Sequence, residues 1–220
     1  MATSDDDTPQ PAALRRFDAT RVLGEGRATL VLAPRCSGKT TLVLELLRSG
    51  ATVAAVDVFA GGVGGSRYSA PLHDGGDVGA LRAIIERHRA TFDAAGYSSG
   101  RQLQRTVVFD DASTELIRSR EMRGLLMNGR CFGFDALVAT QYLPDPAMRH
   151  QFDFLFVRSP CAHDRRLLHE LVGDVVDYAR FSTALDECSA NNHGWLVIDR
   201  TGRTASADHL FWYRAPVATK

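Results

Sequence analysis

Two stretches of this chain hold side chains that could act on a phosphate. Ala33-Pro34-Arg35-Cys36-Ser37-Gly38-Lys39-Thr40 follows the apolar run Ala28–Leu32 and opens an apolar helical pattern at Leu42, Val43, Leu44, Leu46 and Leu47. Strand, turn, Gly-Lys-Thr and helix in that order are the context a phosphate loop requires. Beyond Pro34, which has no N–H of its own, the successive backbone N–H groups of Arg35 through Thr41 can wrap a polyphosphate, and the helix N-terminus adds its positive end. Lys39 reaches the β and γ oxygens, and Thr40 offers its hydroxyl to Mg²⁺. The first position is Ala33 where the strict pattern has Gly, the mildest replacement available. The expected ligand is a nucleoside triphosphate with Mg²⁺.

Val107-Val108-Phe109-Asp110-Asp111 is the second stretch. Its apolar positions bury a strand, and its carboxylates emerge at the C-terminal edge, where open α/β sheets bind ligands. Asp110 is expected in the Mg²⁺ shell and Asp111 beside the attacking water. The plainer reading is a strand ending in an acidic turn, with Asp111 capping the helix that follows. Gln141 closes a further strand, and its amide can donate to a γ-phosphate oxygen while accepting from water. Arg130, in Asn128-Gly129-Arg130, could reach into a neighbour's site as an arginine finger. It could equally serve a helix C-terminus by satisfying the last carbonyls. Arg118, Arg120, Arg123, Arg149 and Arg158 are rivals for the finger role.

These groups need a scaffold. Continuous apolar runs at Ala28–Leu32, residues 52–58, 106–111, 135–141 and 152–157 predict buried parallel strands. Phe17–Leu23 reads as a short edge strand, and Trp195–Asp199 with His209–Tyr213 as a late pair joined through Thr201-Gly202-Arg203. Leu81, Ile84, Ile85, His88 and Phe92 share a helix face, Leu116–Met127 reads as one helix, and Leu167–Val176 supplies another face. The glycine-rich residues 59–79 form a long loop, functional or mobile. In it, Arg67 and Tyr68 could touch DNA. Residues 1–14 read as a disordered tail and 15–220 as one domain.

Bulk composition narrows the classes. Lys+Arg and Asp+Glu are equal at 26 each, so net charge offers no argument for nucleic acid. Cys36, Cys131, Cys161 and Cys188 form no CxxC pair, which fits reduced thiols and no zinc site. No apolar run approaches the ~20 residues that span a bilayer. The polar, acidic start of the chain lacks the basic and apolar regions of a secretory signal.

The ordered set of Ala-Pro-x-x-Ser-Gly-Lys-Thr, Val-Val-Phe-Asp-Asp, Asn-Gly-Arg and Ala-Thr-Gln-Tyr-Leu-Pro, then Met148-Arg149 and Phe152–Phe156, resembles the poxvirus-type genome-packaging ATPases of large DNA viruses, in the FtsK–HerA superfamily. The resemblance covers roughly residues 26–160. It implies an α/β P-loop NTPase with a RecA-like, mostly parallel sheet flanked by helices, in which the Gln strand lies between the other two. It implies an oligomeric ring that hydrolyses ATP to move double-stranded DNA into a capsid, with a capsid or vertex protein as partner. The implied setting is the host cytoplasm or viral factory, or the virion. It assigns Lys39 and Thr40 to phosphate and Mg²⁺, Asp110 to Mg²⁺, Asp111 to water, Gln141 to sensing and Arg130 to the finger. The chain departs from the family in having Asp111 where the superfamily has Glu, and Cys131 where close members have His. A nucleotide or small-molecule kinase and a non-hydrolysing, nucleotide-gated adaptor are the alternatives.

Overall fold

Strands whose sequence is apolar at every position end up buried on both faces. The computed structural model describes residues 14–50, 55–96, 103–173, 176–190, 193–202 and 209–215. Nine strands form one sheet: β1 (Arg15–Arg16), β2 (Ala28–Leu32), β3 (Ala55–Ala60), β4 (Leu72–Asp74), β5 (Arg105–Asp110), β6 (Phe134–Thr140), β7 (Phe154–Val157), β8 (Gly194–Asp199) and β9 (Leu210–Arg214), in the order β1-β9-β8-β7-β2-β6-β5-β3-β4. The pairings are parallel from β4 through to β7, and only β8 runs against the rest. The sheet is therefore α/β and mostly parallel, with β6 inserted between β2 and β5.

Alternate residues of each central strand feed two separate cores. Leu30 and Leu32 of β2, Val107 and Phe109 of β5, and Leu155 of β7 face one layer. That layer contains α2 (Val78–Ala95), α3 (Thr114–Arg118), α4 (Arg120–Asn128), α5 (Pro146–Arg149), α6 (Ala162–Val172) and α7 (Tyr178–Ala190). Val31, Val108, Leu137 and Phe156 face the other, against Leu42, Val43 and Leu46 of α1 (Lys39–Ser49) and against Phe17, Val22 and Leu23. Each fully buried Leu, Val or Phe contributes roughly 1.5–3 kcal/mol, so burial on both faces anchors β2 beneath its loop.

Several expectations change in detail. Phe17–Leu23 is not a strand. The edge strand is Arg15–Arg16, and Ala19–Arg21 is a 3-10 turn whose Thr20 N–H donates to Asp18 at 3.0 Å. The helix expected over Leu116–Met127 is two helices. They break at Ser119, whose extended backbone ends α3 and whose hydroxyl caps α4 by accepting from the Met122 N–H. The loop 59–79 carries a 3-10 turn, Gly62–Arg67, and β4 beside β3. Helix α6 stops at Val172, ahead of the expected end of its apolar face. Helix α7 has no counterpart in the periodicities above. Residues 1–13, the start of the 52–58 run, Val175 and Arg203 lie outside the described residues. Leu14, last of the expected tail, packs against the core.

Two carboxylates hold the start of β2. Asp135 is buried on β6 and accepts from the Gly24 N–H at 2.8 Å and the Arg27 N–H at 2.7 Å. Asp153, just before β7, accepts from the Ala28 N–H at 2.9 Å. Burial pushes the Asp135 carboxyl above the usual range, and the backbone N–H groups around it oppose that rise. Replacing it strands two backbone donors near the core. Asp135→Ala should lose about 2–3 kcal/mol of stability, measured by urea unfolding.

Candidate nucleotide site

Because β2, β3, β5, β6 and β7 are parallel, their C-terminal ends share one edge. Register places Leu32 beside Thr140 and Val157, and Asp110 beside Ala139 and Ala60. The loop after β2 turns sharply on two left-handed residues, Cys36 at φ 57° and Gly38 at φ 92°. Glycine takes that conformation without cost, whereas Cys36 does not. The Ser37 hydroxyl donates to the Pro34 carbonyl at 2.7 Å. The Lys39 ammonium donates to the carbonyls of Ala33 and Pro34 at 3.2 and 3.1 Å. Those bonds close the loop over the lysine, which is buried, while Pro34, Arg35 and Cys36 remain exposed.

Helix α1 begins at Lys39, so Thr40 lies on its first turn. The Thr40 hydroxyl donates to Asp110 Oδ2 at 2.7 Å. Strand β6 separates β2 from β5, so this bond reaches across a gap of about 10 Å between strand axes. Asp111 is not part of β5. Its φ of 51° is left-handed, a conformation Asp tolerates better than most residues. Its N–H donates to the Ala139 carbonyl at 3.2 Å. Its carboxylate Oδ1 accepts from the Gln141 amide at 3.2 Å and lies 3.9 Å from the Lys39 ammonium. Ser113, not Asp111, caps the following helix by accepting from the Leu116 N–H at 3.1 Å. Lys39, Thr40, Asp110, Asp111 and Gln141 thus meet at one place.

Tyr68 joins them. Its hydroxyl donates to Asp110 Oδ2 at 2.9 Å. Burial first, then the Asp110 charge and their hydrogen bond, raise the phenol well above its ordinary pKa, so it remains a donor. Arg67 reaches the Thr41 hydroxyl at 3.4 Å. Nothing in the sequence around Tyr68 signals this contact, which depends on how the long loop folds back.

Asp110 Oδ2 therefore receives two donors, while Oδ1 is buried and has no hydrogen-bond partner. An unpartnered buried carboxylate oxygen suits a hard cation or the water in its shell. Among the described residues no group of three or more His, Cys, Asp or Glu could hold a metal. A cation here would need phosphate oxygens and water as well, which is how Mg²⁺ is commonly bound. Thr40 and Asp110 fit that role.

A cleft of about 480 Å³, lined in part by Arg35, Gly61, Asp111, Arg118, Gln141 and Tyr142, opens onto these groups. A smaller one of about 260 Å³ lies between Pro34 and the Ser159–Asp164 segment. A wider groove of about 860 Å³ between α2 and α4 lies apart from this chemistry. Arg130 is not brought to the site. It sits before β6, donating to the Gly26 carbonyl at 3.2 Å and pairing with Asp153. Those partners lie at the N-terminal edge of the sheet, the edge away from the loop that carries Cys36 and Gly38. It satisfies Gly26 rather than the last carbonyls of α4.

No protein-family model matches the chain, and no curated protein matches its sequence. Solved structures match its fold. The genome-packaging NTPase B204 from Sulfolobus turreted icosahedral virus 2, in complex with sulfate, superposes with a TM-score of 0.57 at 12% identity, covering 87% of this chain and 97% of that one. The same protein in complex with ATP-gammaS gives 0.54 at 13%, covering 81% and 94%. The pCW3 conjugation coupling protein TcpA with ATPgS gives 0.59 at 11%, covering 86% of this chain and 61% of that chain. The chain thus has the fold of these P-loop ATPases.

Two glycines let the loop after β3 reach the site. A Cβ on Gly61 would stand 2.8 Å from the Asp111 carbonyl, and one on Gly75 would stand 2.9 Å from the Gly61 nitrogen. Gly61→Ala should displace the Asp111 backbone and lower stability by about 1–3 kcal/mol, read by thermal or urea unfolding.

Proposed function

We propose that this chain is a Mg²⁺-dependent ATPase that drives double-stranded DNA in viral genome packaging. The observation that carries the reading is the Thr40–Asp110 bond of 2.7 Å, made beside a lysine, a second carboxylate and a glutamine amide. A nucleotide or small-molecule kinase needs a second substrate pocket, and a binding-only adaptor needs no carboxylate held beside a cleft. The fold shared with B204 and TcpA supports the DNA-moving reading.

In this reading the backbone N–H groups from Gly38 to Thr41 and the α1 N-terminus hold the phosphates of ATP. Lys39 contributes the cation nearest to them. Bound Mg²⁺ would neutralise phosphate charge, with Thr40 and Asp110 as its protein contacts. Asp111 accepts a hydrogen bond from the attacking water and orients it. Gln141, bonded to Asp111, links the state of the γ-phosphate to strand β6. Arg118 lines the same cleft as Asp111, and Arg67 reaches the Thr41 hydroxyl. Arg130 belongs to a surface that could meet a neighbour's site only across an interface in a homo-oligomeric ring. Capsid or vertex protein completes the proposed assembly.

ATP hydrolysis measured against protein concentration, with and without duplex DNA, tests the reading. DNA should raise turnover, and activity should climb more steeply than protein concentration. Lys39→Ala and Asp111→Asn should each lower turnover by about a hundredfold or more. Asp111→Asn should retain nucleotide binding, measured with a fluorescent ATP analogue. Turnover that DNA leaves unchanged would count against a DNA motor. Phosphate transfer to a nucleoside acceptor would indicate a kinase, and tight binding without turnover an adaptor.

A further inference from the structure

We infer that Tyr68 is a positioning residue for the metal-binding carboxylate, a role resting on the nucleotide-site reading above. A carboxylate at a strand end can rotate and present either oxygen to a cation. Here that freedom is removed from two sides. Thr40, on the first turn of α1, donates to Oδ2 at 2.7 Å, and Tyr68 donates to the same oxygen at 2.9 Å. Oδ1 is the oxygen left unpartnered, and it is buried. Two donors on one oxygen and none on the other fix which oxygen is free to accept from a cation's water.

Thr40 alone does not fix the carboxylate, because the same hydroxyl is a candidate contact for the cation. Tyr68 approaches from a separate element, the segment just after the 3-10 turn Gly62–Arg67. Its ring packs against the core on the α1 side of the sheet. Arg67, its neighbour, touches Thr41 of α1, so adjacent residues of this segment contact both the helix and the strand that frame the site. Gly61 and Gly75 allow the close backbone approach that brings the segment there. Groups that orient a metal ligand without touching the metal set its affinity, and removing one costs about 10–100-fold.

Tyr68→Phe isolates the claim, since it removes one hydroxyl and retains the ring. Binding of a fluorescent ATP analogue would be measured in excess chelator and across a Mg²⁺ titration. The metal itself would be followed by Mn²⁺ electron paramagnetic resonance. Tyr68→Phe should leave metal-free nucleotide affinity within about twofold and raise the Mg²⁺ midpoint by roughly tenfold, with weaker Mn²⁺ binding to match. An unchanged Mg²⁺ midpoint would overturn the inference. A variant that fails to fold by circular dichroism would also overturn it, because a hydroxyl that only aims a carboxylate is dispensable for folding. If the unsubstituted chain binds nucleotide without any Mg²⁺ dependence, the site reading itself fails, an outcome distinct from the other two.

Discussion

The hydroxyl of Thr40, on the first turn of the helix that follows β2, and the carboxylate of Asp110, at the end of β5, are hydrogen-bonded at 2.7 Å although β2 and β5 are not neighbours. That contact is the constraint on which the site depends. Because β6 lies between β2 and β5, the loop after β2 must carry the first turn of α1 sideways over β6. Ala139 lies opposite Asp110 in register. Its carbonyl also holds the Asp111 N–H, so the same residue of β6 sets the positions of both aspartates.

The rest of the molecule supplies stiffness to that arrangement. Each central strand buries side chains on both faces, so β2 and β5 cannot slide without exposing one core or the other. At the opposite edge, Asp135 and Asp153 tie the start of β2 to β6 and to the residue preceding β7. Arg130 participates in that edge through Gly26 and Asp153, which gives it a structural role within its own chain. The edge that carries Lys39, Asp111 and Gln141 is formed by turns, and the opposite edge by carboxylates that hold backbone donors.

The parts of the site that lie on regular elements were legible in the sequence. Gly-Lys-Thr after an apolar strand and Asp-Asp after another have fixed meanings because strand ends and helix starts present their groups in fixed directions. The break at Ser119 was not legible as a break, although both Ser113 and Ser119 are good caps. Leu116, Met122 and Leu125 are buried in the same core, so the two short helices read as one apolar segment. The edge strand shifted to Arg15–Arg16 because the Asp18 side chain satisfies the backbone of a 3-10 turn where an apolar run suggested extension.

Residue type and spacing alone determined the mostly parallel sheet, the strand–turn–helix around Gly38-Lys39-Thr40 and the aspartate that ends β5, because burial and backbone hydrogen bonding are read locally. Tertiary structure alone decided that Asp111 leaves its strand and turns toward Lys39 and Gln141. It also decided that Tyr68 reaches Asp110 from 42 positions away in sequence and that Arg130 stands at the far edge. Those outcomes depend on where loops fold back. A glycine-rich loop has many local conformations of similar energy, and only its contacts with distant segments select one.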